Sequence, residues 1–215
     1  MINIQNVLNS IVKDLSDQNY EQSLALFRLW IGISQTYSQI PSNLILDAIC
    51  NHRARGPPDY NFIYTTAQQT IRFVGDVESD PILAPHTIGL QSRFRARVLQ
   101  EFFNVNLGAV YGNSGWGCLY IDTNIIAHYA NLGHIEEDAI RIYILQSLIS
   151  HPKLYDTQVV ALVILFKIAG ATFEAYADPG VVDRCFELLN NHPCNGPVMM
   201  ESILASAFSL QKGWN

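Results

Sequence analysis

Ile4, Val7, Leu8, Ile11, Val12 and Leu15 recur at the i, i+3, i+4, i+7 spacing of one helical face, with Asn and Lys between them, and predict an amphipathic N-terminal helix. A second helix is predicted from Asn19 as N-cap, through Leu24, Leu26, Phe27, Trp30, Ile31 and Ile33 to Tyr37, with Pro41 breaking the pattern. A third follows Pro41 as far as the Arg-Ala-Arg-Gly-Pro-Pro stretch. There Pro57 and Pro58 force a connection, because proline inside a helix removes hydrogen bonds. Between Asp59 and Val74 the signals conflict. Phe62 to Thr66 have strand-like composition, whereas Ala67, Gln68 and Gln69 favour a helix, and helix is the reading adopted. Asp76 to Pro85 reads as a loop and Ile88 to Asn104 as a helix carrying three arginines.

Gly108 to Gly117 holds four glycines and reads as irregular over most of its length, the place where a subdomain boundary would fall within a single helical domain 1–215. Beyond it, helices are predicted over Asp122–Asn131, Ile135–Ser150, Asp156–Tyr176, Pro179–Asn191 and Pro197–Gln211. Gly133 is a stop signal, and Asp178 is an N-cap followed by proline where its missing N–H is no loss. Val159 to Phe166 is apolar all round, as a buried central helix would be. The expected fold class is therefore all-α, with about ten helices arranged as a solenoid-like stack of helical hairpins or as an irregular bundle.

The run Asp178-Pro-Gly-Val-Val-Asp-Arg-Cys-Phe-Glu-Leu-Leu-Asn-Asn-His, followed by Pro197-Val-Met-Met-Glu-Ser-Ile-Leu-Ala-Ser-Ala-Phe-Ser-Leu, resembles an armadillo or HEAT repeat. In those families a short helix ending in Leu-Leu leads through a turn to a second helix ending in Ala-x-x-x-Leu. The likeness covers mainly residues 156–211. It implies stacked helical pairs that present a groove to a partner protein and carry no catalysis.

Composition narrows the function classes. The chain has 215 residues, 49% of them apolar or aromatic, with a formal net charge of −6, so it can bury a core of its own and is not intrinsically disordered. The acidic balance argues against coating nucleic acid or an anionic membrane. No cationic start precedes an apolar run at the N-terminus, and the longest strictly apolar run, Val159 to Phe166, ends at Lys167, far short of the ~20 residues of a membrane span. Cys50, Cys118, Cys185 and Cys194 read as reduced thiols, and with the absence of an Asn-x-Ser/Thr sequon they point to a cytoplasmic or nuclear protein.

One string could carry chemistry. Gly115-Trp-Gly-Cys118 places a thiol after a glycine loop where a helix could begin, so free N–H groups and the helix dipole would stabilise a thiolate and an oxyanion. The four residues resemble the nucleophile motif of the autophagy-type and ubiquitin-fold-modifier cysteine proteases, which implies Cys118 as nucleophile. The Asp-Pro-His element of those families is absent downstream, so the base would have to be His128, His134 or His151. The competing reading is a packed cysteine beside a Trp116 anchor.

Arginines gather at Arg53, Arg55, Arg72, Arg93, Arg95 and Arg97; on a helix Arg93 and Arg97 share a face. RNA or phosphate binding through the Arg53–Arg97 region would need them to converge, whereas Asp59, Asp76, Glu78 and Asp80 nearby favour ion pairing. Cys185, His192 and Cys194 lack zinc-site spacing, and Asp76-Val-Glu-Ser-Asp80 has Pro81 where a calcium loop needs glycine. The sequence thus leads to a scaffold for another protein without metal or cofactor, with Arg93, Arg97 and Trp116 as candidate binding residues and a Cys118 hydrolase as the alternative.

Overall fold

The computed structural model describes residues 3–13, 15, 18–35, 42–52, 60–104, 115–150 and 154–192. Among these residues every regular element is a helix: α1 (Ile4–Lys13), α2 (Tyr20–Gln35), α3 (Ser42–His52), α4 (Tyr60–Ser79), α5 (Ala84–Thr87), α6 (Leu90–Asn104), α7 (Gly115–Asn131), a π-helical turn (Ala139–Tyr143), α8 (Ile144–Leu148), α9 (Asp156–Tyr176) and α10 (Pro179–Asn190). The protein is all-α. Two compact units divide it, Met1–Gln100 and Glu101–Asn215, and the boundary lies within α6.

In the first unit α1 packs on α2 and α3 through the face its spacing predicts, with Leu8 and Val12 fully buried. α2 meets α4 through aromatic rings. Phe73 meets Phe27, at 5.2 Å between centroids, and Tyr20, at 6.2 Å, with both pairs of rings nearly perpendicular. Near-perpendicular rings set the negative face of one against the positive edge of another. α4 also runs further than its sequence suggests. The loop expected from Asp76 begins at Asp80, because Val77 is buried and Asp76 is tied to α2, so tertiary contacts hold the last turn. α5 is anchored by the Thr87 hydroxyl, 3.3 Å from the Val77 carbonyl of α4.

In the second unit α7 and α9 form the main helix pair, flanked by α8 and α10. α7 starts at Gly115, seven residues before the predicted Asp122. Glycines are poor helix formers, but Leu119, Tyr120 and Ile121 all go into the core, and their burial overrides propensity. Residues 105–114, which include most of the glycine-rich stretch, lie outside the described residues. Polar residues on α7 stay buried by bonding within the helix: the Thr123 hydroxyl donates to Leu119 O at 2.6 Å and the Asn124 amide to Tyr120 O at 2.8 Å. The stop at Gly133 (φ 68°) is a Schellman motif, with His134 N–H donating to Tyr129 O and Gly133 N–H to Ala130 O.

The single helix predicted over Ile135–Ser150 is instead a π-helical turn leading into α8, and the Arg141 carbonyl in that turn accepts from Asp178 N–H at 3.1 Å. α9 occupies the predicted span and begins on a buried latch. Gln158, fully buried, accepts from Tyr155 N–H at 2.7 Å through its Oε1 and donates to Leu148 O. Ala169 departs from helical geometry (φ −127°, ψ 24°) just before Gly170, a bend of the kind glycine permits. Asn131, the last residue of α7, spans it: its amide donates to Ile168 O and its Oδ1 accepts from the Thr172 hydroxyl at 2.8 Å. The predicted Asp178 cap is present, accepting from Gly180 N–H at 2.8 Å, and Phe186 of α10 stacks on Phe166 of α9 at 4.9 Å. The helix predicted over Pro197–Gln211 lies outside the described residues.

α9 is, among the described residues, long and apolar enough to cross a membrane by length and composition, with a mean hydropathy of 1.8. Of that stretch 61% is buried inside the protein, as in a core helix. The strictly apolar run Val159–Phe166 understates this helix because Ala, Gly and Thr continue it.

Candidate functional site

α7 carries Cys118 in its first turn and His128 in its last. Ten residues of helix at 1.5 Å each separate the two backbone positions by about 15 Å along the axis. His134 lies past the same end of the same helix, exposed, with its ring 6.0 Å from that of Tyr129. His151 and the side chains of Trp116 and Cys118 lie outside what the structure describes. Burial depresses the basicity of His128 and keeps its imidazole neutral near pH 7.

Among the described arginines, Arg72, Arg93 and Arg95 each hold a partner of their own. Arg93 and Arg97 share a face of α6, but the Arg93 guanidinium reaches back to the Ile88 carbonyl at 3.4 Å, and Arg95 donates to Ser92 Oγ at 3.2 Å. Arg53 and Arg55 lie outside the described residues. Arg72 is engaged within its own unit. Its guanidinium lies over the Tyr20 ring at 3.8 Å from the centroid, 3.3 Å from Glu21 and 3.6 Å from Asp76. Among the described residues no three His, Cys, Asp or Glu side chains gather as metal ligands.

What the fold does assemble is a polar seam between α2 and the end of α4. The Tyr20 hydroxyl donates to Asp76 Oδ2 at 2.7 Å; burial first, then that carboxylate, pushes the phenol well above its ordinary pKa, so it stays protonated. Asp80 is buried and accepts from Arg28, from Ile82 N–H at 2.8 Å and from Leu83 N–H at 3.3 Å. Burial alone would raise its pKa, but these donors outweigh it and hold the carboxyl below the usual aspartate value. Beside them Glu21, Leu24, Arg28, Asp76, Ser79, Asp80 and Pro81 line an open pocket of about 330 Å³.

Next to the seam, α2 presents a second apolar face. Phe27 and Ile31 point into the unit, while Leu26, Leu29 and Ile33 are 38%, 56% and 41% exposed, with Trp30 half-buried between them. Positions 26, 29, 30 and 33 again have i, i+3, i+4, i+7 spacing, so one helix carries two contact faces. The sequence shows this as apolar residues all round α2; only the structure separates the buried set from the outer one.

Fold and site together define an all-α protein with an exposed apolar helix face beside a charged pocket. The chain matches no protein-family model, no curated protein and no solved structure.

Proposed function

We propose that the chain is a protein-binding module that engages another protein through a helical surface, without catalysis. The observation that carries this reading is the outer face of α2, where Leu26, Leu29 and Ile33 share a stripe with the half-buried Trp30. Large apolar side chains exposed singly are ordinary; a contiguous set at helix-packing spacing marks an interaction surface.

The test is quantitative affinity capture from cell extract with the wild-type chain and with Leu29→Glu. The expected result is at least one protein retained by the wild type, depleted at least tenfold by the variant, and bound again when both components are purified. Circular dichroism should be unchanged, because Leu29 is 56% exposed. Identical captured sets refute the reading.

A further inference from the structure

Glu21, Ala25, Leu29 and Ile33 form one i±4n row along α2, the kind of ridge into which another helix packs. At one end are the exposed side chains of Leu29 and Ile33. At the other, Glu21 stands at the mouth of the 330 Å³ pocket, and the exposed Ala25 between them is small enough for a second backbone to approach closely. The outer stripe alone offers a few hundred Å² at most, well short of the ~800 Å² that each side of a stable interface buries. An occupant that binds here specifically therefore needs more than apolar contact.

The pocket supplies the rest. Glu21, Asp76 and Asp80 outnumber the guanidinia of Arg28 and Arg72, which leaves negative charge in excess. The Glu21 side chain is 80% exposed and its pairing with Arg72 is at the surface, where such a pair is weak and a competing cation can draw it away. The pocket volume is at the bottom of the range for small-molecule sites and suits a single long side chain. A second copy of this chain would bring the same row, which contains no cation, and the same net charge of −6.

From this juxtaposition we infer that the outer row of α2 docks an amphipathic helix of a partner protein that carries a lysine or arginine at the edge of its apolar face. The apolar positions of that helix cover Leu29 and Ile33, and its cationic side chain enters the pocket beside Glu21. The inference rests on the protein-binding reading and adds the chemistry of the partner.

A displayed library of amphipathic helices, with apolar positions fixed as leucine and flanking positions randomised, tests it on the full chain. Selection against the wild type should enrich Lys or Arg at one flank. Selected helices should lose at least tenfold in affinity on Leu29→Glu and at least fivefold on Glu21→Lys, a substitution at an exposed site. Selection on the Glu21→Lys variant should shift that flank towards Glu or Asp. Helices that require Leu29 yet show no basic enrichment overturn this inference and leave the protein-binding reading standing. Failure to recover any helix that discriminates the wild type from Leu29→Glu overturns both, and a wild type that dimerises through this face and excludes the library overturns the choice of partner.

Discussion

Replacing Gln158 by leucine removes both ends of the latch at the start of α9 while keeping a side chain of similar size. Two backbone groups lose their partner: the Tyr155 N–H and the Leu148 carbonyl. Leu148 is 1% exposed, so its carbonyl stays dry, at about 1–3 kcal/mol. Tyr155 is 37% exposed and water can take over part of its bond, so about 1 kcal/mol is appropriate there. The new leucine gains about 1 kcal/mol of apolar burial. The net loss is therefore about 2 kcal/mol, which at a urea slope of about 2 kcal/mol/M lowers the midpoint by about 1 M. Urea unfolding followed by circular dichroism measures it.

Gln158→Glu sharpens the test. A carboxylate keeps the acceptor for Tyr155 but turns a lone pair towards the Leu148 carbonyl, whereas the neutral acid can donate to it. The folded-state pKa of that carboxyl must then lie above its unfolded value of about 4.3. Its favourable contribution is complete below about pH 4 and is lost as pH rises through the folded value. A leucine variant with the wild-type midpoint, or a glutamate variant whose deficit shrinks as pH rises, refutes the latch.

Asp80 has the opposite sign. Its pKa is depressed in the folded protein, so the stability it contributes is present above the ordinary aspartate range and lost as pH falls through the lowered value. Asp80→Asn should cost about 1–3 kcal/mol at pH 7 and make acid unfolding less steep, both read from circular dichroism; an unchanged acid limb contradicts the pairing with Arg28. Burial pushes the Cys185 thiol up to about 12. In the native protein at pH 8 it should stay unmodified by iodoacetamide and react only on unfolding, as peptide mapping will show; rapid native labelling contradicts its burial.

The helices most legible in the sequence are those whose signals are local. α10 has clean periodicity and the Asp178-Pro179 start, α9 has a long apolar run, and α7 ends where Gly133 says it should. What could not be read depends on partners distant in the chain. The early start of α7 needs the core that receives Leu119 to Ile121, and the extra turn of α4 needs Tyr20, fifty-six residues away, to hold Asp76. Arg72, Asp76 and Asp80 stood out as charges, but the pairing of Arg28 with Asp80 crosses fifty-two residues and has no local signature. The separation of Cys118 from His128 is hidden for a simpler reason. One continuous helix carries Cys118 and His128 at opposite ends, and neither residue type nor spacing reveals where a helix after a glycine-rich stretch begins.

The π-helical turn at Ala139–Tyr143 bears on where the chain can change length. A π turn accommodates one residue more than the α-helical path needs. Excising one residue there lets the segment relax into plain α-helix, and Ile144, Leu145 and Leu148 keep their inward facing. The same deletion within α9 would rotate everything beyond it by about 100° and turn its buried side out. Within the second unit, then, Ala139–Tyr143 is the place where a single-residue deletion would disturb the core least, at the expense of the Arg141 carbonyl that receives the Asp178 N–H.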